Sequence, residues 1–493
     1  MDASESDAKI LVRDLCLCVA AAFLCRALFA IAMPRVLDSA DAIHYVSLAE
    51  DYAKGQWKTL GPRIPPLYPA LGALMRPAAP DMEWALRWVS LVASSLLPIP
   101  VYLLARMLHG SATARIAASM VAIWPWLIDY GTRVGPEALA SLLWFTAIYA
   151  LARALLDGGP WTFAAPVAFF ALHLARPEGT FLLLAAPIAA TFLCARNGEG
   201  RWKRLLPFLV ISTVLLTIYA AYLKTVTGSF ALSGRAPDLG GALAHALLNR
   251  GEQTVRAFNT LMGNVIPVML GPYVLLFIGV GLFTPSPQRN FRLEGFVLFF
   301  ACLQWALATL STFAEPRYMM SFLIVAYIWG ARGFAIVTQR AAASPRFRAL
   351  RAAPLTIYAL IMLHGMAFTL LPEHFGHLPL DPREYKTAGL WMRANLEPGL
   401  ILTRKPQIGY YAHMPTQGPD AKASLTDILR DARATQARYI VVDERYTANM
   451  IPALRPLLDP AHAPPGLRLV RADLSPYPNA RIVIYTWESE TAP

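Results

Sequence analysis

Charged residues are scarce in this chain, and their scarcity sets the class of protein before any motif is considered. Only 15% of the 493 residues are charged, whereas 56% are hydrophobic, and the mean hydropathy is positive. Soluble domains carry about 25% charged residues, so this composition excludes an ordinary soluble domain. It predicts an integral membrane protein that crosses the bilayer many times.

Cysteine is also rare, and its placement shows no disulfide framework. The five cysteines lie inside apolar runs, at Cys16, Cys18, Cys25, Cys194 and Cys302. We expect them to be small core residues. The sequence has no dense cluster of His, Asp and Glu with recognisable metal spacing, so neither a metal nor another cofactor is predicted. His44 and His173 are expected to be hydrogen-bonded structural histidines.

The sequence shows no internal repeat, which argues against transporter folds built from duplicated halves. The net charge of +12 is compatible with nucleic-acid binding, but the Lys and Arg residues form short clusters between apolar runs. They do not line one amphipathic face, so we expect no nucleic-acid partner. We interpret the basic clusters as determinants of membrane topology.

Apolar runs predict about eleven transmembrane helices. Their expected positions are near residues 10–33, 85–107, 113–129, 137–156, 161–175, 179–195, 205–225, 263–283, 293–312, 318–338 and 354–371. With a cytoplasmic N-terminus, the basic clusters fall in the cytoplasmic loops, as the positive-inside rule requires. The first run is interpreted as a retained helix because it is too long for the core of a signal peptide.

Two domains follow from this topology. Residues 1–371 are predicted to form a helical membrane module whose first extracytoplasmic loop is 34–84. Residues 372–493 are predicted to form a small extracytoplasmic α/β domain. In this tail, helical patterns at 384–396 and 424–435 alternate with β-like runs at 439–442 and 481–485.

Polar residues not explained by topology collect on the predicted outer side of the membrane. They are Asp38, Asp41, Tyr45, Arg63, Tyr68, Glu137, Arg176, Glu178, Arg317 and Tyr318. A charged group at the rim of a membrane helix bundle costs free energy, so its presence indicates a function. An acid followed by a cation on one loop is suited to deprotonating a hydroxyl and holding an anionic leaving group.

Each of these residues also has a structural interpretation. Asp38 or Asp41 could cap the helix predicted by the apolar pattern of Tyr45, Leu48, Ala49 and Tyr52. Only one of the two acids can be the cap, so the other remains available for a different role. Arg63, before Pro65-Pro66, could extend its charged group to the membrane surface while its stem stays in the apolar region. Arg176 could pair with Glu178, and Glu137 could serve only to stabilise the dipole of its helix.

Several short segments, in this order, resemble a known family. They are Asp41-Ala42-Ile43-His44-Tyr45, Leu48-Ala49, Gly55, Pro65-Pro66-Leu67-Tyr68-Pro69, Pro136-Glu137, Arg176-Pro177-Glu178-Gly179, Arg317-Tyr318, and Glu384-Tyr385-Lys386-Thr387-Ala388-Gly389-Leu390-Trp391 before the α/β tail. Together they resemble the GT-C membrane glycosyltransferases, in particular the dolichyl-phosphate-mannose mannosyltransferase-like branch that includes the lipid A aminoarabinose transferase.

The resemblance implies an activity and site roles. A sugar would move with inversion from a polyprenyl-phosphate donor to an acceptor on the extracytoplasmic face. Asp41 would be the general base, with Asp38 as the competing acid, and Arg63 would contact the phosphate. Tyr45, Tyr68, Glu137, Arg176, Glu178, Arg317 and Tyr318 are further candidates for substrate binding.

The sequence leaves the sugar, the acceptor and the lipid carrier open. The acceptor could be a glycolipid, a glycan or a protein, and the short loops and compact tail favour a bacterial inner membrane. Two other classes remain as alternatives: a flippase or transporter for lipid-linked sugars, and a non-catalytic scaffold of an envelope polysaccharide complex.

Overall fold

Long apolar helices dominate the computed structural model. It describes residues 3–32, 36–57, 64–194, 199–228, 251–285, 289–310, 315–350, 352–370, 382–475, 477 and 479–488. These residues belong to two units. The first contains Met1–Ile31 and Tyr45–Met366, and the second contains Ala32–His44 and Ala367–Pro493.

Up to residue 370 the described secondary structure is helical. The α-helices are α1 (Ala3–Ala32), α2 (Ala40–Ala53), α3 (Leu67–Met75), α4 (Met82–Leu96), α5 (Pro98–His109), α6 (Ser111–Ile123), α7 (Pro125–Tyr130), α8 (Glu137–Leu156), α9 (Trp161–Ala175), α10 (Glu178–Cys194), α11 (Glu199–Thr227), α12 (Gly251–Thr260), α13 (Ile266–Leu270), α14 (Pro272–Phe283), α15 (Phe291–Leu310), α16 (Pro316–Ala343) and α17 (Ala353–Leu370). Short 3-10 segments cover Arg76–Ala78 and Pro345–Leu350, and a π-helical turn covers Leu261–Val265.

The number of membrane spans is lower than the eleven expected if helix length is the criterion. Within the described residues, six helices are long and apolar enough to cross a bilayer, and a bent helix pair between Gly251 and Phe283 would make seven. Four shorter apolar helices, Ser111–Ile123, Trp161–Ala175, Glu178–Cys194 and Ala353–Ala367, coincide with other predicted spans. The protein is an integral membrane protein, but the count of eleven is not confirmed.

One predicted span is broken by proline. The apolar run 113–129 was expected to be continuous, but α6 ends at Ile123 and α7 begins at Pro125. Trp124 between them is extended, with φ −68° and ψ 119°. A residue before proline is pushed out of the helical region by the proline ring, so the interruption follows from the Trp124-Pro125 sequence.

The close approach of α14 and α16 depends on glycine. A Cβ atom added at Gly333 would lie 2.0 Å from the carbonyl oxygen of Phe277. The neighbouring rings of Phe277 and Phe334 stack with their centroids 3.8 Å apart. Small residues at such crossings let helix backbones approach within a membrane, where packing drives association.

The second unit contains a five-stranded sheet, as the alternating pattern of the tail predicted. Its strands are β1 (Ile401–Leu402), β2 (Thr416–Gln417), β3 (Tyr439–Asp443), β4 (Leu467–Arg471) and β5 (Ile482–Trp487), in the order β2-β1-β3-β5-β4. β1 is parallel to β2 and β3, whereas β5 is antiparallel to β3 and β4. The helices are α18 (Arg383–Asn395), α19 (Pro406–Ala412), α20 (Leu425–Ala434) and α21 (Thr447–Met450). The short 3-10 segments Pro452–Leu458 and Pro460–His462 precede β4.

Residues 32–44 belong to the second unit, although the sequence placed them in the membrane module. The backbone N–H of Leu37 donates to the hydroxyl of Tyr411, at 2.9 Å. Leu37 is fully buried. The expected boundary at residue 371 lies outside the described residues, in the segment 371–381.

Replacing Gly333 by Ala should lower the thermal stability of the detergent-solubilised protein. The added methyl group meets a backbone carbonyl that cannot rotate away, and overpacking of this kind costs roughly 1–3 kcal/mol. Gly330→Ala on the same helix is the matched control, because its Cβ would meet only side-chain atoms, at 3.4 Å. Equal melting temperatures for the two variants would contradict the proposed tight crossing.

Candidate functional site

The ends of four helices carry the polar residues of the first unit's candidate site. α8 begins at Glu137, where the helix dipole favours a carboxylate. α9 ends at Ala175, and Arg176 is extended because Pro177 follows it. α10 begins at Glu178, and α16 begins at Pro316. The sequence predicted that these chain segments lie on one side of the bundle.

The corner between α9 and α10 leaves no room for a side chain at Gly179. A Cβ atom there would lie 2.6 Å from the backbone nitrogen of His173 and from the carbonyl group of Leu172. The turn is therefore tight. It holds Arg176 and Glu178 at adjoining helix ends, two residues apart.

Five of the predicted residues line one small cavity. They are Glu137, Arg176, Glu178, Arg317 and Tyr318. Side chains from α8, α9, α10, α15 and α16 complete the wall. Residues far apart in the sequence thus meet because their helix ends converge.

Arg176 is the centre of the ion pairs in this cavity. Its Nε and Nη2 donate to the two carboxylate oxygens of Glu178, at 3.3 Å and 3.1 Å. Its Nη1 lies 3.7 Å from Oε1 of Glu137. Burial by itself would lower the pKa of Arg176, but the charges of Glu178 and Glu137 outweigh it and raise the pKa. The pairing expected as an alternative for Arg176 is thus present, and it keeps the guanidinium charged.

Tyr318 lies between two guanidinium groups. The Cζ atom of Arg176 is 4.9 Å from the centroid of the Tyr318 ring, and that of Arg317 is 5.2 Å from it. Each distance is within the range of a cation–π interaction. Two guanidinium groups therefore lie against the same ring at one cavity.

Arg317 lies in the first turn of α16, where the helix dipole disfavours a cation. Its Nε is 2.6 Å from Oε2 of Glu315, whose side chain is about half exposed. A carboxylate so close to solvent is screened and stabilises a cation only weakly. Burial by itself would lower the pKa of Arg317, but nearby groups outweigh it and raise the pKa of the guanidinium. They are Tyr318 and the carboxylates of Glu137 and Glu315.

Tyr45 and Tyr68 pack against each other beside this cluster. Their ring centroids are 5.4 Å apart in an edge-to-face arrangement, and the charge of Arg176 interacts with Tyr45. Tyr68 is fully buried, and burial raises its pKa. Its hydroxyl accepts from the N–H of Gly135 at 2.9 Å and lies 2.8 Å from the hydroxyl of Ser90. These contacts favour a positioning role for Tyr68 over the direct substrate contact expected from the sequence.

The sequence reasoning missed several residues of the cavity wall. Ser141 and Trp144 lie four and seven residues after Glu137, and Ser321 lies four residues after Arg317. This helical spacing puts them on the same face as the predicted residues and was the signal available in the sequence. Gln304 carries no such signal, because only the packing of α15 against α16 brings its side-chain nitrogen within 3.3 Å of the Tyr318 carbonyl oxygen.

Trp144 is the most informative of the missed residues. It is buried, and its indole Nε1 has no hydrogen-bond partner among the described residues. Buried donors are normally satisfied, and an unpaired one costs about 1–3 kcal/mol. A wall of the cavity therefore contains a hydrogen-bond donor that a ligand could use.

The two first-loop acids lie in and next to the first turn of α2. Asp41 is in that turn, and Asp38 precedes the helix; both are partly exposed. The hydroxyl of Ser39 accepts from the N–H of Ala42, at 3.2 Å, so Ser39 performs the capping expected of one of the acids. Asp38 and Asp41 belong to the second unit, whereas Tyr45 belongs to the first. Their role as base stays a prediction.

Three further predictions concern Arg63, His173 and a metal site. Arg63 lies outside the described residues, in the segment 58–63. His173 is buried, and its Nδ1 lies 2.8 Å from the hydroxyl of Thr180. Within the described chain, no group of three or more His, Cys, Asp and Glu side chains could hold a metal ion.

Comparison with known proteins identifies the fold. Residues 63–223 match the family model of dolichyl-phosphate-mannose-protein mannosyltransferase. No protein of curated function matches the chain significantly by sequence. The matched range includes Glu137, Arg176 and Glu178.

Two solved structures extend the similarity. ArnT from Cupriavidus metallidurans, bound to undecaprenyl phosphate, is 14% identical with a TM-score of 0.61, over 98% of this chain and 99% of that chain. The Archaeoglobus fulgidus oligosaccharyltransferase, in complex with Zn and sulfate, is 14% identical with a TM-score of 0.60, over 87% and 68%. The expected resemblance is confirmed: this is a membrane protein with the GT-C fold and a small C-terminal sheet.

A double-mutant cycle should show that Arg176 and Glu178 are energetically coupled. Removing Arg176 alone leaves two largely buried carboxylates without their cation, so Arg176→Met should destabilise the protein more than the Arg176→Met, Glu178→Gln double variant. We expect a coupling energy of roughly 1–3 kcal/mol in chemical unfolding.

The exposed pair Arg256 and Glu252, with their nitrogen and oxygen 3.1 Å apart, is the matched control for this cycle. Its coupling should not exceed about 0.5 kcal/mol, because water screens both charges. A coupling for Arg176 and Glu178 no larger than that of the exposed pair would show that the buried cluster does not hold the helix ends together.

Proposed function

We propose that this protein is a GT-C glycosyltransferase that moves a sugar from a polyprenyl-phosphate-linked donor to an acceptor on the extracytoplasmic face of the membrane. The observation that carries the proposal is the cavity in which Arg176 and Arg317 flank Tyr318 beside Glu137 and Glu178. Guanidinium groups suit a phosphate, and carboxylates accept hydrogen bonds from sugar hydroxyls.

The lipid carrier is supported by two proteins of the same fold. ArnT from Cupriavidus metallidurans was solved with undecaprenyl phosphate, and AglB from Archaeoglobus fulgidus was solved with an inhibitory peptide and a dolichol-phosphate. Both molecules present a phosphate attached to a polyprenyl chain. A cavity at the ends of apolar helices suits such a ligand, because the phosphate stays at the rim while the chain remains in the bilayer.

In the proposed reaction, the acceptor oxygen attacks the anomeric carbon from the face opposite the lipid phosphate. The bond between that carbon and the phosphate oxygen breaks, and its electron pair leaves with the phosphate. Asp41 takes the proton of the acceptor hydroxyl, and the configuration at the anomeric carbon inverts. Arg176 and Arg317 stabilise the charge that develops on the phosphate, so the leaving group needs no proton donor.

The roles of the other residues follow from their contacts. Glu137 and Glu178 orient Arg176 and accept hydrogen bonds from the sugar. Trp144 supplies a neutral donor from the buried wall of the cavity. Tyr68 holds Gly135, at the entrance to α8, in place through its buried hydroxyl. Arg63, in the segment 58–63 outside the described residues, contributes a further cation for the phosphate.

The proposed orientation places the cavity outside the cytoplasm of a bacterial cell. The basic clusters between apolar runs favour cytoplasmic loops on the opposite side of the bundle. The start of α8, the end of α9 and the starts of α10 and α16 then face the outside. The acceptor is a molecule on that side of the membrane: a glycolipid, a glycan or a protein.

Replacing Asp41 by Asn should abolish transfer and preserve donor binding. The amide retains the shape of the side chain but cannot accept the proton, and loss of a general base costs about 10²- to 10⁴-fold in turnover. Transfer is measured by mass spectrometry of envelope glycolipids and glycoproteins from cells that lack the protein and carry each variant. Donor binding is measured as the thermal shift caused by undecaprenyl phosphate.

Asp38→Asn is the matched control for this experiment, because it changes the neighbouring acid of the same segment. It should retain most of the transfer. If Asp38→Asn abolished transfer and Asp41→Asn did not, the base would be Asp38. If neither variant changed the envelope profile that the wild-type protein restores, the proposed mechanism would be wrong, and a flippase or a scaffold would explain the protein better.

Replacing Trp144 by Phe should weaken binding of undecaprenyl phosphate. The ring remains, but the indole N–H that would donate to a phosphate oxygen is lost, and a hydrogen bond to a charged group corresponds to roughly tenfold in affinity. Trp329→Phe is the matched control, because Trp329 is equally buried and its Nε1 also lacks a partner among the described residues. Equal affinities for the two variants would remove Trp144 from the donor site.

A further inference from the structure

The sheet of the second unit has a topological switch point between β1 and β3. β1 lies between β2 and β3 and runs parallel to both. From β1 the chain crosses to β2 on one side, and from β3 it continues to β4 and β5 on the other. In open α/β sheets, the loops that follow such strands part and leave a crevice that binds ligands.

Two arginines at this edge are paired with carboxylates, whereas the carboxylate of Asp443 is hydrogen-bonded to neutral groups. Nε of Arg445 lies 2.5 Å from Oε1 of the fully buried Glu384. Nε of Arg481 lies 3.0 Å from Oε2 of Glu444. One carboxylate oxygen of Asp443 accepts from the hydroxyl of Tyr385, at 2.9 Å, and from the N–H of Tyr446, at 2.8 Å.

Two consecutive cations at the end of β1 are the exception. Among the described residues, neither Arg404 nor Lys405 has a carboxylate within 4.0 Å. Nζ of Lys405 lies 3.9 Å from the centroid of the Tyr446 ring and 5.8 Å from that of Tyr385. Nε of Arg404 donates to the sulfur of Met450, at 3.3 Å. The switch point therefore has an excess of positive charge.

Burial lowers the pKa of Lys405, the charge of Asp443 opposes that change, and Arg404 adds to it. The ammonium group is thus held in an environment that disfavours its charge. An anion bound at the same place would restore the balance. The ring of Tyr446 is 39% exposed beside these cations and offers an apolar face of the kind on which a sugar ring packs.

We propose that Arg404, Lys405 and Tyr446 form a subsite for an anionic saccharide, with the cations holding a phosphate or carboxylate group and the tyrosine ring packing against the sugar. The proposal rests on the proposed function in one respect, namely that such a saccharide is part of the acceptor. It gives the second unit a role in choosing the acceptor, separate from the cavity of the first unit.

Chemical footprinting of Lys405 tests the subsite in the full-length protein. Its lowered pKa leaves more of the free amine, which reacts with acetic anhydride, and mass spectrometry locates the product. Glucose 6-phosphate and glucuronate should each be tested against glucose. At a ligand concentration about nine times the Kd, acetylation of Lys405 should slow about tenfold, because binding leaves one site in ten empty.

Controls separate the subsite from general effects. The exposed Lys422 of the same unit should react at an unchanged rate with every ligand. Arg404→Gln should abolish the protection of Lys405, whereas Arg468→Gln, an exposed cation on β4, should retain it. Protection by either charged sugar supports the subsite and identifies phosphate or carboxylate as the preferred group.

Three outcomes would overturn the proposal: no protection by either charged sugar, equal protection by glucose, or full protection in Arg404→Gln. The Asp41→Asn protein serves to separate this proposal from the proposed transfer reaction. It should show the same protection of Lys405 as the wild type. If the protein bound the charged sugar but did not modify envelope glycans, the subsite would be supported and the proposed transferase function would be wrong.

Discussion

The pairing of Arg176 with Glu178 and Glu137 is the constraint on which the candidate site depends. These three groups come from the ends of α8, α9 and α10, and each would be costly to bury alone. Pairing makes their burial possible, and it forces three helix ends to one place. The same guanidinium lies against the ring of Tyr318, and the charge of Glu137 acts on Arg317, so α16 joins the cluster through both a ring and a charge.

This arrangement reconciles stability with the proposed chemistry. A guanidinium already engaged by two carboxylates has a fixed direction, and a site that binds phosphate benefits from cations held in place before the ligand arrives. Arg317 lies close to the half-exposed Glu315, and the charge of Glu137 also acts on it. Trp144 lines the same cavity, and its indole N–H has no partner among the described residues.

The two units have different roles in the proposed reaction. The first unit surrounds its cavity with helix ends and has the GT-C fold, whereas the second has a switch point with two cations that lack carboxylate partners within the described chain. Residues 32–44 belong to the second unit although they precede most of the first in the sequence. The segment that carries Asp38 and Asp41 is therefore anchored by the domain proposed to recognise the acceptor, through contacts such as that of Leu37 with Tyr411.

The sequence by itself determined the membrane class, most helical segments, the α/β tail and the charged residues of the cavity. Each of these follows from local information: apolar runs, alternating patterns, and polar residues next to proline at helix ends. A hydropathy window misses the break at Trp124-Pro125 within an apolar run, although the proline is a local signal for it, because summed hydropathy carries no information on backbone geometry.

Only the tertiary structure decided which of the outer residues share one cavity, that Tyr68 is buried behind it, and that Gln304 and Trp144 belong to its wall. Likewise, the pairing order of the strands, which creates the switch point beside Arg404 and Lys405, is a property of the whole sheet. Such juxtapositions arise from packing between distant segments, and the order of residues along the chain does not encode them locally.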